Sequence, residues 1–292
     1  MKKLTILNEE NSGPIVRDLT GPSVEKSGVV LVSQEEAMAI EPVNAHAAMT
    51  YLFPVIAQYA NWKSMAKALL SRNAKLLKTA AGNLRTTGLT LLPASSIAGL
   101  NSCVGASIEC ILLCLKGSGH NVIPVNDLIK ACRHYALLLH TPEFLRLLIE
   151  SIRMLPKNYR IRLNVLSDLP WEILAPWLFT LFPERKFYDY TKVTGRKPPA
   201  NYKLVLSFSG RNWDACRDYL ARGESVAIVS QTLARPDFMI VDGKQYFTVD
   251  GDIHDIRTED PDNCIVWLKY KTTAGNKGKR EEVFLWENFI AR

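Results

Sequence analysis

From Thr86 to Lys271 the chain switches repeatedly between two periodicities, and no other feature restricts its fold as much. The runs "TTGLTLLPAS", "YRIRLNVLS", "KFYDYTK", "NYKLVLSFSG" and "SVAIVSQ" are short and rich in β-branched and aromatic residues, as strands are. Helical stretches stand between most of them. These are "PVNDLIKACRHYALLLHTPEFLRLLIESIRML", interrupted near Pro142, then "PWEILAPWLFTLFP", and "NWDACRDYLARG", closed by Gly223. "YFTVDGD" and "CIVWLKYKT" add strands around a polar loop. Strands alternating with helices predict βα units and an α/β fold with mostly parallel strands. Polar residues end almost every strand. That favours a partial or complete (β/α) barrel over a doubly wound open sheet, because such a barrel gathers its functional groups at the C-terminal ends of its strands. The barrel-like domain is expected over residues 81–292.

Residues 1–80 read as an N-terminal helical and irregular extension that packs on the barrel. Turn residues dominate to about residue 45, with "GVVLVS" as a short strand. A helical stretch follows, broken near Pro54, with Ala66, Leu69, Leu70, Leu76 and Leu77 as its apolar face. Hydrophobic residues make up 47% of the chain and charged residues 22%, which allows a sizeable core. No apolar run reaches the roughly 18 residues of a membrane span. None follows Lys2 and Lys3 as a secretory signal requires. The reading is therefore a cytoplasmic protein with no membrane partner. Lys plus Arg total 36 against 29 Asp plus Glu, a net charge of +7. That permits a nucleotide or nucleic-acid partner, although no block of five basic residues appears and a solvated basic surface explains the charge equally well.

Disulfides are rare in the cytoplasm, so six cysteines direct attention to metal or catalysis. Three lie in "NSCVGASIECILLCLKGSGH": Cys103, Cys110 and Cys114, spaced C-x6-C-x3-C. On a helix, Cys110 and Cys114 share one face, and Cys103 in the preceding loop reaches the same point. Three thiolates can hold a [4Fe–4S] cluster with one iron open to S-adenosylmethionine, or zinc with His120 as a candidate fourth ligand. The spacing departs from the C-x3-C-x2-C of radical S-adenosylmethionine enzymes, while the position after the first barrel strand matches theirs. Simple burial in an apolar helix is the alternative. Cys132, Cys216 and Cys264 stand singly in apolar segments and read as ordinary buried residues.

Other strand ends supply further candidates. Asn164, Ser167 and Asp168 follow Arg162, although Ser167 or Asp168 also suits a helix N-cap. Lys192 follows the alternating Tyr188 and Tyr190, with Asp189 and Thr191 on the opposite, polar face. Ser209 and Arg211 flank Gly210, where an anion can approach the backbone. Asn164, Ser167, Lys192, Ser209 and Arg211 are the candidate cofactor-binding residues. The densest polar segment, "VDGDIHDIRTEDPDN", lacks the order of an EF-hand, which argues against calcium. Asp252 and His254 within it, with Asp168, are the candidate acid–base residues. A solvated, salt-bridged loop is the competing reading.

Six segments in order carry a family resemblance: "GLTLLPASSIAGLNSCVGASIECILLCLKGSGH", "IRLNVLSDLPWE", "FYDYTKV", "NYKLVLSFSGRN", "SVAIV" and "VDGDIHDIRTEDPDNCIVWLKYK". From about Asn61 to Thr273 the chain resembles tailed-bacteriophage proteins related to those labelled gene product eighty-eight. It departs at Val104, where a proline is usual, and at Thr272 and Thr273, in place of a glycine-ended turn. Neither change touches the cysteines. The resemblance implies a phage origin, a host-cell setting and a shared site, and it assigns no activity. Three functions then compete. The first is an iron–sulfur enzyme of radical S-adenosylmethionine type acting on a nucleotide or nucleic acid. The second is a cluster-free enzyme on similar substrates using Asp168, Asp252 and His254, with structural cysteines or zinc. The third is a non-enzymatic protein that binds a host factor.

Overall fold

A computed structural model describes residues 27–52, 59–71, 83–94, 96, 101–112, 114–117, 123–230 and 234–270. Leu76, Leu77 and His120, named above, lie outside the described residues.

Among the described residues, nine strands form one sheet: β1 (Leu70–Ser71), β2 (Arg85–Leu89), β3 (Tyr159–Arg162), β4 (Phe187–Thr191), β5 (Tyr202–Ser207), β6 (Val226–Ser230), β7 (Phe238–Val241), β8 (Lys244–Asp250) and β9 (Ile265–Lys269). Their order is β1-β2-β3-β4-β5-β6-β9-β8-β7. From β2 to β6 every neighbour is the next strand in the chain and every pair is parallel. This one-way winding belongs to a partial (β/α) barrel; a doubly wound sheet reverses direction at a switch point. β9 continues the parallel run beside β6, β8 lies parallel to β9, and only β1 and β7, at the edges, pair antiparallel. The expected α/β architecture with mostly parallel strands is what the chain adopts.

β7 and its hairpin with β8 escape the sequence reading, although the signal was present. Asp242 and Gly243 separate the two strands, both with positive φ (50° and 77°), as a tight two-residue hairpin turn requires. Conversely, "GVVLVS" forms no strand. Val29 and Val32 bury their side chains individually, and the run ends in Ser33, whose hydroxyl caps the next helix in a reciprocal capping box with Glu36.

The helices are α1 (Gln34–Ala39), α2 (Pro42–Leu52), α3 (Trp62–Leu69), α4 (Ile108–Leu112), α5 (Pro124–Leu139), α6 (Thr141–Arg153), α7 (Trp171–Leu174), α8 (Pro176–Leu181) and α9 (Trp213–Ala221). Proline begins α5 and α8, where its missing N–H costs nothing. α6 is buried along most of its length and receives α1, α2, α3 and α5 on its sides. One hydrophobic cluster consequently joins Ala37 and Met49 of the N-terminal helices to Leu89 and Ile161 of the sheet. A second cluster packs Cys216 and Leu220 of α9 against Leu206, Val226, Ile228, Ile265 and Trp267. Among the described residues, no helix is long and apolar enough to cross a membrane.

The opposite face of the sheet is covered without an α-helix, by a connection whose only regular element among the described residues is the 3-10 turn Arg257–Glu259. The connection from β8 to β9 crosses β3, β4 and β5. Asp255 meets Arg162 at 2.7 Å, Glu259 meets Arg160 at 2.9 Å, and the Asp260 carbonyl accepts from Lys203 at 3.1 Å. Asp255, Ile256 and Arg257 are buried, Arg257 completely. The segment that reads from sequence as a solvated polar loop is in large part an internal plug. Its acidic residues are matched by cations far back in the chain, on β3 and β5, which the local pattern does not reveal.

Candidate functional site

The segment after β2 carries the three clustered cysteines and is tied down at successive strand ends. The Ser102 hydroxyl donates to the Leu92 carbonyl, and the Asp168 amide donates to the Ser102 carbonyl at 2.7 Å. Cys103 donates its thiol to the Leu166 carbonyl at 3.3 Å. Gly105 lies so close to Lys192 and Val193 that a Cβ there would meet Val193 Cγ2 at 2.8 Å. Ser107 Oγ donates to the Ser209 carbonyl at 3.4 Å and accepts from the Cys110 amide at 3.2 Å. One loop thus reaches from the end of β2 past β3 and β4 to β5. The expectation that Cys110 and Cys114 share one helix meets a shorter helix than the pattern implied. α4 ends at Leu112, and Cys114 sits in the turn beyond it, its amide donating to the Ile111 carbonyl at 3.3 Å.

Past β3, Asn164 organises its own loop. Its Oδ1 accepts from Ser167 Oγ at 2.8 Å and from the Leu169 amide at 2.9 Å, while its Nδ2 donates to the Leu169 carbonyl at 2.9 Å. Asp168 is not an N-cap. Its Oδ2 accepts from Thr191 Oγ1 at 3.1 Å and the Lys192 amide at 2.8 Å, and its Oδ1 accepts from Arg196 at 2.9 Å. Burial pushes this carboxyl upward in pKa, and the Arg196 guanidinium opposes the shift. Arg196 also grips Glu172 through two nitrogens, at 2.7 and 2.6 Å. Asp168 therefore joins the ends of β3 and β4, with both carboxylate oxygens engaged. Arg196 was missed from sequence. The available signal was Asp168 and Glu172, two carboxylates four residues apart at a buried helix start, which require a cation to neutralise them.

The polar face of β4, which alternates Asp189 and Thr191, is buried. Asp189 accepts from the amides of Leu163 and Asn164, at 3.1 and 3.0 Å, and from the Tyr202 hydroxyl at 3.0 Å. Burial raises its carboxyl to about 7, against the lowering effect of Arg162. Past β5, Asn212 Oδ1 accepts from the amide and hydroxyl of Ser209, at 2.7 and 2.9 Å, and its Nδ2 donates to the Ser207 carbonyl at 3.1 Å. Gly210 holds φ 87° within this turn.

These strand ends enclose a cavity of about 270 Å³. Its lining brings together Cys103, Cys110, Cys114, Asn164, Ser167, Asp168, Lys192, Ser209 and Asp252. Arg211 and His254 are not part of the lining. His254 instead turns toward Arg257, whose NH2 lies 3.2 Å from its Nδ1, so it does not join Asp168 and Asp252 as an acid–base set. Lys269, the last residue of β9, and Tyr270 beyond it line the cavity and were not singled out from sequence. Asp252 Oδ2 accepts the Lys269 amide at 2.6 Å, which closes the rim on that side.

Cys103, Cys110 and Cys114 line one cavity, and thiolates are the donors that a thiophilic metal takes. Burial, the dominant cause, pushes the Cys103 thiol up to about 12, and Cys110 and Cys114 lie near enough to raise it further. Cys114 is raised for the same first reason. Among the described residues, no group of three or more His, Cys, Asp or Glu side chains is already assembled around a metal-sized point. Binding a metal would draw the sulfurs closer and expel their protons. Cys132, Cys216 and Cys264 are buried, outside the lining, and none of the six cysteines is disulfide-bonded.

Fold and site define a mostly parallel α/β sheet with a cysteine-bearing cavity at the C-terminal ends of its strands. Residues 68–287 match the model of the Gene product 88 family, and the chain belongs to that phage protein family. No curated protein and no solved structure matched the chain.

Proposed function

We propose that this chain is a phage-encoded iron–sulfur enzyme of radical S-adenosylmethionine type that acts on a nucleotide or nucleic acid. The observation that carries the reading is the lining of one cavity by Cys103, Cys110 and Cys114 together with the polar ends of β3, β4 and β5. These three cysteines would hold a [4Fe–4S] cluster, which when bound supplies one-electron chemistry and an open iron site. The surrounding residues position the loops. Asp168 and Arg196 lock β3 to β4, and Ser107 fixes the cysteine segment to Ser209. Iron and sulfide are to be measured after anaerobic reconstitution, in wild type and Cys110→Ala. The reading expects about four irons per chain in the wild type and a loss in the variant. Equal and negligible iron in both would end it.

A second reading, a cluster-free or zinc enzyme, draws on the Cys103 thiol, which is buried, raised in pKa and donating to the Leu166 carbonyl. The placement of His254 away from the cavity removes the acid–base set first attached to that reading. Stoichiometric zinc in colourless, anaerobically prepared protein would favour it.

A further inference from the structure

β3 and β4 are neighbours in the sheet, yet they part almost as soon as they meet. Their register is a single pair, Ile161 with Phe187, and the Ile161 amide donates to the Lys186 carbonyl at 3.1 Å. A parallel ladder continues two residues on, which here means from the Leu163 amide to the Tyr188 carbonyl. Instead that amide donates to one oxygen of the Asp189 carboxylate at 3.1 Å, and the Asn164 amide donates to the other at 3.0 Å. A side chain of β4 has taken the place of its backbone as the partner of β3.

Each strand stays with its other neighbour. β4 keeps register with β5 from the pair Phe187 and Tyr202 to the pair Thr191 and Leu206. β3 follows β2, through the pair Arg162 and Gly88 and then through the Val165 amide, which donates to the Leu89 carbonyl at 3.1 Å. Gly88 permits this close approach, since a Cβ there would meet the Arg162 carbonyl oxygen at 2.7 Å. The sheet therefore splits between β3 and β4 at their C-terminal ends. Both banks of the split line the cavity: Asn164 to Asp168 on the β3 side, Tyr190 to Lys192 on the β4 side. In open α/β sheets a ligand crevice forms where a reversal of strand order sends neighbours apart. β3 and β4 are consecutive in chain and sheet, so no reversal opens this one.

The Asp189 carboxylate fits the split. It is fully buried, accepts from the Tyr202 hydroxyl at 3.0 Å besides the two amides, and lies 3.6 Å from Arg162 Nε. Three donors and a nearby cation are the partners that a buried carboxylate requires. Asp168 grips in the reverse direction, accepting from the Thr191 hydroxyl and the Lys192 amide of the β4 side. Arg196 joins the two, donating to Asp168 at 2.9 Å and to the Tyr202 hydroxyl at 3.3 Å.

We infer that Asp189 is a positioning residue: its side chain replaces a rung of the ladder, holds β3 and β4 apart, opens the cavity and sets the loop from Asn164 to Leu169. That loop carries the Leu166 carbonyl to which the Cys103 thiol donates, so the same wedge places Cys103. The inference rests on the cavity being the functional site, and not on what its cysteines hold.

The test is through-hydrogen-bond coupling by NMR in the deuterated, metal-free full chain. In wild type the Leu163 and Asn164 amide nitrogens should couple to the Asp189 carboxyl carbon. Coupling of Leu163 to the Tyr188 carbonyl carbon, or no coupling of either amide to the carboxyl, would overturn the inference. Asp189→Ala removes the wedge. The Leu163 coupling should then move to the Tyr188 carbonyl. Proton contacts between the segments Ser102–Cys103 and Leu166–Asp168 should be lost, while those between Ser107 and Ser209 remain. A residue that only supports folding would weaken both sets together, and that result, or no change in either, would sink the idea. Asp189→Asn keeps the volume and one acceptor. It should retain one of the two couplings and the Cys103 contacts, and loss of those contacts with a coupling retained would count against the wedge. This variant and the wild-type couplings decide the matter even where the alanine variant does not fold. Iron content after reconstitution is a separate measurement and decides the cluster reading alone.

Discussion

On the sheet face turned toward the helices, Leu206, Val226, Ile228, Ile265 and Trp267 pack with α9, and the neighbouring strands pack with α6 through α8. On the other face, Arg162, Tyr188 and Tyr190 look toward the plug, where Asp255, Arg257 and Asp260 are buried with them. The same strands serve both faces, yet the rules differ. The outer face needs apolar volume of about the right shape, and any side chain there has many interchangeable neighbours. The inner face needs particular partners, because each buried charge is tolerable only while its counter-charge is present.

The largest effect should therefore come from a single inner cation. Arg162→Leu leaves Asp255 buried without its 2.7 Å partner. It should cost about 3–5 kcal/mol, the range for stranding one member of a buried pair. Pairing it with Asp255→Asn should recover most of the loss. Urea unfolding of the two singles and the double measures this. A single-variant cost no larger than that of a surface substitution would erase the distinction between the faces. An outer-face control, Ile228→Val, removes one methylene from a fully buried site and should cost about 0.5–1.5 kcal/mol.

The two faces also differ in how well they could be read. The outer face and the helices were legible because burial there follows period 2 and period 3.6, and Pro124, Pro142 and Gly223 mark helix boundaries locally. The convergence of Asn164, Asp168, Lys192 and Ser209 was legible for a related reason, since parallel strands bring their ends to one side. The plug was not legible. Asp255, Arg257 and Asp260 have the composition of a loop, and only Arg162, distant in sequence, reveals why they are inside. His254 and Arg211 were assigned to the site on residue type alone, which carries no information about the direction a side chain takes.

A titration sharpens the comparison at the boundary between the faces. Asp189 is fully buried and its carboxyl is raised to about 7, chiefly by burial. A raised carboxyl binds its proton more tightly in the folded chain than in the unfolded one. Its contribution is most favourable below the unfolded value near 4 and declines as pH climbs to about 7. Stability should therefore fall across that window, and Asp189→Asn should flatten the fall. The variant should also lose about 1–3 kcal/mol near pH 4, because the asparagine NH2 turns toward a donor where the protonated carboxyl still presents an oxygen to the Leu163 and Asn164 amides. Carbon-13 detection of the Asp189 carboxyl would follow the protonation directly; a midpoint near 4 would remove the premise.

The smallest effect on stability should come from the cysteines that motivated the functional reading. Cys216 is fully buried in the outer cluster and behaves as a small apolar side chain. Cys110 is only half-buried and lines the cavity. If Cys110 serves packing, Cys110→Ala should resemble Cys216→Ala in its cost. If it serves ligation, the metal-free protein should tolerate Cys110→Ala within about 0.5 kcal/mol, as surface changes are tolerated. In the reconstituted protein, loss of the metal should then lower the thermal midpoint of the variant relative to wild type, because a ligand held only by the folded state stabilises it. Urea unfolding of metal-free protein and thermal unfolding after reconstitution, on both variants, separate the cases. Equal costs for Cys110→Ala and Cys216→Ala with no reconstitution-dependent difference would assign Cys110 to packing, as for Cys216 in the outer cluster.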